Sequence, residues 1–366
     1  MKITETRLSD GRWLRYYDTD DAPSRDAVDQ RALPPISTRS ELRYDPLLDQ
    51  WVMVAGHRQD RTYQPAVRDC PLCPSRPDHY TEIPAEDYQV VVFQNRFPAL
   101  SPAPAGTADW QHGSLLSRPG AGSCEVICFT SEHDTPVAEL PPGQLELVVQ
   151  AWRDRSQALA AAPGVRQVFC FENSGADIGV TLDHPHGQLY AYPFVTPRTA
   201  RMLASVAEYR SRTGGNLFDD RLADELDEGG RIVLCTDCWT AFVPHAARWP
   251  YEVHAYPNER VPELAALDDR ALAELPFVYL DLLDRFRRLF DRPAPYISAW
   301  HQAPAGSQDD FALHLELFTT RRTSDKLKYL AGSESGMDAF ANDILPETAA
   351  ATLRTVGDPP FGTRQS

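Results

Sequence analysis

Two stretches of this chain carry the same kinds of element in the same order, and a duplication that long dictates a two-part fold. The first runs through "EVICFT" (125–130), "TPVAEL" (135–140), a helix, "QVFCFE" (167–172) and "HPHGQLYAYP" (184–193). The second runs through "WTAFVPH" (239–245), "ERVPEL" (259–264), a helix, "YISAW" (296–300) and "FALHLELF" (311–318). His186 to Gln188 in one copy then falls opposite His314 to Glu316 in the other. The period is far longer than that of a solenoid repeat, so two related α+β halves are expected, residues 1–195 and 196–366. Strands with few β-α-β alternations favour an antiparallel sheet.

The helices inside the repeat show their period. Leu145, Val148, Val149, Trp152 and Leu159 follow Pro141 and Pro142 at mostly three- and four-residue steps, as do Leu272, Leu275, Tyr279, Leu282, Phe286 and Leu289. A third helix is expected after Pro197, with Ala200, Leu203 and Val206 on its buried face. Further β-rich runs are "WVMVA" (51–55), "YQVVVF" (88–93) and "RIVLC" (231–235). Residues 18–40 and 101–122 are polar and punctuated by proline, and read as loop.

With 42% hydrophobic and 24% charged residues, the 366-residue chain can bury a substantial core. Its net charge of -16 argues against nucleic-acid or anionic-membrane partners. A small anion held by a few local arginines is compatible with that charge. The N-terminus lacks the apolar core of a signal peptide, and no run approaches the ~18 apolar residues of a spanning helix, so a cytoplasmic location is expected. In a reducing compartment the two C-x-x-C pairs, Cys70/Cys73 and Cys235/Cys238, suggest metal before disulfide. Cys124, Cys128 and Cys170 sit among apolar strand residues as buried thiols.

The segment "TLDHPHGQLY" (181–190) carries the chemistry. In an extended chain His184, His186 and Gln188 share one face. A lone histidine there would be read as part of a half-buried edge strand; H-P-H-G-Q below "ENSG" points to attack on phosphorus. A neutral imidazole is available near its ordinary pKa of ~6.5 and attacks without prior deprotonation. A backbone carbonyl on the same segment would fix its tautomer, and the Gln188 amide would donate to phosphoryl oxygens. Gly187 would leave room for the phosphate.

These residues carry a resemblance. "FENSGADIGVTLDHPHGQLY" resembles the active-site signature of the galactose-1-phosphate uridylyltransferase family, a transferase branch of the histidine-triad superfamily. "YDPLLDQWVMVAGHRQDR", "CPLC", "VVFQNRFPAL", "SEHDTPVAEL", "WPYE", "YISAWHQAP", "HLEL" and "KYLAGSE" match in order over nearly the whole chain. The resemblance implies a duplicated histidine-triad-like α+β fold of antiparallel half-barrel sheets flanked by helices. It also implies exchange of UMP between UDP-glucose and galactose 1-phosphate through a uridylyl-histidine on His186, with Gln188 as a non-ionising neighbour. The alternative is an ADP-glucose-type phosphorylase using the same nucleophile.

By the same resemblance Arg58 and Arg61 contact phosphate, Phe93 and Asn95 form the uridine pocket, and Asn173, Gly179 and Thr181 line the phosphate side. Lys328 and Glu334 are hexose contacts contributed by the partner of a homodimer. Cys70, Cys73, His133 and His184 are implied as a structural zinc site bracing the nucleophile's strand. A second metal, iron or zinc, would be held by His301, His314 and Glu316. Met202 stands where the family pattern places a glutamate ligand on the helix after the active site.

Overall fold

The computed structural model describes residues 1–20, 24–60, 64–106 and 108–357. The first half contributes strands β1 (Lys2–Arg7), β2 (Trp13–Asp18), β3 (Glu41–Asp45), β4 (Gln50–Val54), β5 (Val90–Gln94), β6 (Trp110–His112), β7 (Leu115–Pro119) and β8 (Ser123–Cys128). Helix α1 (Pro142–Ala160), β9 (Gln167–Ser174) and β10 (His186–Tyr192) complete it. Helices α2 (Pro197–Thr213) and α3 (Leu217–Glu228) lead into β11 (Ile232–Cys235), β12 (Trp239–Phe242) and β13 (Tyr251–Pro257). The second half continues with α4 (Asp269–Arg288), β14 (Tyr296–His301), β15 (His314–Thr319), the small hairpin β16 (Arg321–Thr323) and β17 (Lys326–Leu327), α5 (Gly332–Met337) and α6 (Pro346–Val356).

Eleven strands form one sheet in the order β1-β2-β5-β8-β10-β9-β14-β15-β13-β12-β11, every neighbouring pair antiparallel. The order mirrors about the β9–β14 seam, where Phe171 pairs with Ala299. Gln188 lies between Phe171 and Val126; Glu316 lies between Ala299 and His254. The duplication read in the sequence is therefore a pseudo-twofold in space.

One pairing differs from the sequence expectation. The counterpart of "EVICFT" is β13, "YEVHAYP", and not "WTAFVPH", because β13 pairs β15 as β8 pairs β10. Buried Glu252 and His254 break the apolar signal there. Residues 101–122 are not all loop: β6 and β7 join β3 and β4 in a separate four-stranded sheet. Ala200 faces solvent, whereas Thr199 and Val206 are buried along α2.

Helices α1 and α4 pack side by side over one face of the sheet, with Trp152, Tyr279, Trp300 and Trp239 in mutual ring contact beneath them. Asp268 caps α4 by accepting the Ala271 N–H at 2.8 Å, and Pro142 occupies the first turn of α1, where no donor is lost. The fold is thus α+β, antiparallel and duplicated. The helices cover one face, leaving the other for His186 and Gln188. Among the described residues no helix is long and apolar enough to cross a membrane.

Candidate active site

Strand β10 runs between β8 and β9; its first residue, His186, pairs with Cys128 of β8, and the next residue, Gly187, is paired on both sides. The His186 Nδ1 lies 2.8 Å from the carbonyl of His184. A carbonyl only accepts, so Nδ1 carries the proton and Nε2 keeps its lone pair. Burial pushes the imidazole below its ordinary pKa, which keeps it neutral.

His186 and Gln188 line a cleft of about 270 Å³ together with Arg58, Phe93, Asn95 and Thr181. Phe93 and Val126 form its apolar wall. Asn95 accepts the Phe97 N–H at 2.8 Å through Oδ1, which turns its amide nitrogen away from that loop. Arg58 is positioned by a 3.2 Å hydrogen bond to the Tyr190 hydroxyl. Arg61 lies outside the described residues. Asn173 and Gly179 are not among the lining residues; Asn173 sits in the β9–β14 seam opposite Ile297, and Gly179 closes a short turn at φ +79°.

The sequence reading of Gly187 needs correction. It points to the face opposite His186, where an added Cβ would stand 2.8 Å from Phe129 Cζ and 3.0 Å from the Phe171 carbonyl. Core packing requires the glycine, not phosphate access. Sequence reasoning also missed Arg31, which lines the cleft from the irregular 24–40 segment and is ion-paired to Asp29 and Glu82. Nothing local in that segment signalled it.

Lys328 and Glu334 come together at 3.1 Å, with the lysine buried, but neither is among the residues lining the cleft.

Cys70, Cys73, His133 and His184 converge with their ligand atoms within 4.8 Å of one another. Cys73 Sγ lies 3.4 Å from His133 Nδ1 and 3.6 Å from His184 Nδ1. A tetrahedral ion with ordinary zinc–sulfur and zinc–nitrogen bonds has S···N edges of roughly 3.6 Å, so the set fits a metal. His184 Nε2 faces the Thr130 carbonyl and the Tyr88 hydroxyl, both at 2.8 Å, which directs Nδ1 toward the cysteines. The hydrogen bond from Cys73 holds the Cys70 thiol below its ordinary pKa, which favours a thiolate at Cys70. Cys235 is exposed and belongs to no such cluster among the described residues.

His301, His314 and Glu316 form a second group, all buried. His301 Nε2 and His314 Nε2 lie 3.4 and 3.6 Å from the Glu316 carboxylate, and buried His314 Nε2 has no hydrogen-bond partner among the described residues. These spacings also suit a metal's ligand edges. His314 Nδ1 lies 2.8 Å from the Ala312 carbonyl, repeating the tautomer lock of His186. Met202 packs in an apolar cluster and brings no carboxylate. His254, missed in the sequence, stands 3.7 Å from Glu316 and 2.9 Å from Glu252.

The N-terminal domain model of galactose-1-phosphate uridyl transferase matches residues 33–196, and the C-terminal domain model matches residues 203–361. The galactose-1-phosphate uridylyltransferase of Streptomyces lividans is 50% identical, over 98% of this chain and 99% of that protein. The enzyme of that name from Thermotoga maritima is 36% identical, over 86% and 98%. A solved structure described as uridylyltransferase superposes with a TM-score of 0.76 at 30% identity, covering 86% of this chain and 98% of that one. The chain belongs to the galactose-1-phosphate uridylyltransferase family.

Proposed function

We propose that the chain is a UDP-glucose:hexose-1-phosphate uridylyltransferase working by double displacement through His186. The carrying observation is the bond from His186 Nδ1 to the His184 carbonyl, which leaves Nε2 unprotonated inside the cleft. Nε2 attacks the α-phosphorus of UDP-glucose; a P–N bond forms, the P–O bond to the β-phosphate breaks, and glucose 1-phosphate leaves. Galactose 1-phosphate then attacks the uridylyl group through a phosphate oxygen, giving UDP-galactose and restoring the imidazole. Gln188 donates a neutral hydrogen bond to the phosphoryl oxygens, and Arg58 offsets their negative charge. An amide cannot serve as a base for water, which protects the intermediate. Phe93 and Asn95 receive the uridine; Thr181, with Asn173 and Gly179 behind it, shapes the phosphate side, and Arg61 belongs to the same phosphate set.

Zinc fits the two-sulfur, two-nitrogen set and, when bound, braces His184 two residues from the nucleophile. A second ion, zinc or iron, fits His301, His314 and Glu316 away from the reacting atoms. Two halves divided at 195/196, a cytoplasmic homodimer and hexose contact by Lys328 and Glu334 of the neighbouring subunit complete the reading.

Incubation with UDP-glucose alone, then intact mass in mild alkali, tests it. The expected result is a UMP-sized adduct, absent in His186→Gly and discharged by galactose 1-phosphate. No adduct with UDP-glucose, but one from ADP-glucose that inorganic phosphate discharges, would refute the uridylyl specificity and favour a phosphorylase.

A further inference from the structure

A cavity of about 830 Å³, larger than the His186 cleft, lies apart from it. It lies over the second half of the sheet, and its floor includes Glu316 and His254. By the strand register these two stand where Gln188 and Val126 stand in the cleft. Phe242, paired with His254, likewise stands where Phe93 pairs with Val126. The cavity is the pseudo-symmetric copy of the active cleft.

Its walls are cationic although the chain is strongly acidic. Arg198 and Arg201 come from α2, Arg221 from α3 and Arg248 from the turn before β13. Three acids also line it, and each is engaged. Glu316 is gripped by Arg198 at 2.6 Å, Asp338 is paired with Arg201, and Glu252 accepts the Arg248 and Trp249 backbone N–H groups and lies beside His254. Arg221 and Arg248 have no carboxylate partner among the described residues; their guanidinium groups lie over Phe242 and Phe340. His254, whose side chain is 6% exposed, lines the cavity floor and has a buried Nδ1 with no hydrogen-bond partner among the described residues. A buried, unpartnered polar atom beneath two uncompensated guanidiniums marks a place for a ligand.

We propose that this cavity is a second binding site, taking a small phosphomonoester. The two guanidiniums without a carboxylate partner present planar forks that suit the oxygens of a near-dianionic phosphate ester at neutral pH, in a lining of four arginines against three carboxylates. The volume accommodates a phosphate with a sugar-sized body. Transfer chemistry is absent there, because Glu316 puts a carboxylate where the cleft has the neutral Gln188 amide. The site goes beyond the transferase reading and does not rest on it.

Calorimetric titration of the full-length protein with a hexose 1-phosphate tests the proposal. Two sites per chain are expected, with Arg221→Ala/Arg248→Ala weakening one of them by about tenfold or more. Titration curves that coincide for the wild type and the double variant overturn it, whatever number of sites the wild type shows. A measurement needing no variant is phenylglyoxal modification read by peptide mass. Hexose 1-phosphate should protect Arg221 and Arg248, and their unchanged labelling overturns the proposal even if the double variant fails to fold. Equal protection by inorganic phosphate would place recognition in the phosphate group; protection by the ester alone would extend it to the sugar.

Discussion

Glu172 offers a quantitative test of how the two halves are joined. It lies fully buried on β9, with the Tyr296 hydroxyl at 2.5 Å, the Tyr279 hydroxyl at 3.0 Å and no cationic side chain bonded to it among the described residues. Its partners bring α4 and β14 of the second half to the strand beside His186, the proposed nucleophile, since Gly187 is its cross-strand neighbour. Desolvation raises its pKa from 4.5 to about 7, because two hydroxyl donors do not replace the water a carboxylate loses. Below about 4.5 both folded and unfolded states hold the proton, and there is no linkage. Between 4.5 and about 7 the unfolded chain releases it while the folded chain keeps it, so this group makes stability fall as pH rises. At about 1.4 kcal/mol per pH unit the loss is roughly 3 kcal/mol above pH 7. Urea unfolding midpoints at pH 5 and pH 8 should therefore decline more in the wild type than in Glu172→Gln, which has no proton to lose. Identical declines in the two proteins would refute the reasoning.

Two other perturbations follow from the geometry. Gly187→Ala should cost about 1–3 kcal/mol by overpacking against Phe129 and the Phe171 carbonyl, and should slow adduct formation by displacing His186; a neutral outcome in thermal unfolding would refute the packing argument. Tyr88→Phe removes an acceptor 2.8 Å from His184 Nε2 and should weaken metal retention about tenfold in competition with a chelator, whereas unchanged retention would leave Tyr88 without a part in orienting the ligand.

Much of this was legible in the chain because the signals were local. The H-P-H-G-Q spacing places His186 and Gln188 on one face, and alternation alone predicts it. The C-x-x-C pair and two distant histidines were linked by family resemblance, and the fold brings all four together. What escaped depends on neighbours remote in sequence. Strand β13 was passed over because Glu252 and His254 look like surface residues until the Arg248 backbone and Glu316 surround them. Arg31 reaches the cleft from a segment with no period at all. Gly187 was placed correctly but explained wrongly, because Phe129 cannot be seen from a ten-residue window.

The same comparison bears on why the proposed nucleophile lies in one half and not in the other. His186 and His314 sit at equivalent points, and each directs Nδ1 at the carbonyl two residues back. The tautomer is therefore the same and cannot be the difference. Access and charge are. His186 is half-buried and faces a cleft, whereas His314 is 0% exposed, enclosed by the rings of His301, Tyr256, Phe218 and Phe311. Beside His186 a neutral amide can donate to a phosphoryl group; beside His314 an ionised carboxylate, held well below its ordinary pKa by His301 and His254 against the cost of its burial and already gripped by Arg198, has no donor to offer one. Substituting Glu316 by glutamine alone would restore a donor but leave His314 sealed, so a second catalytic centre requires opening the aromatic enclosure as well as replacing the carboxylate.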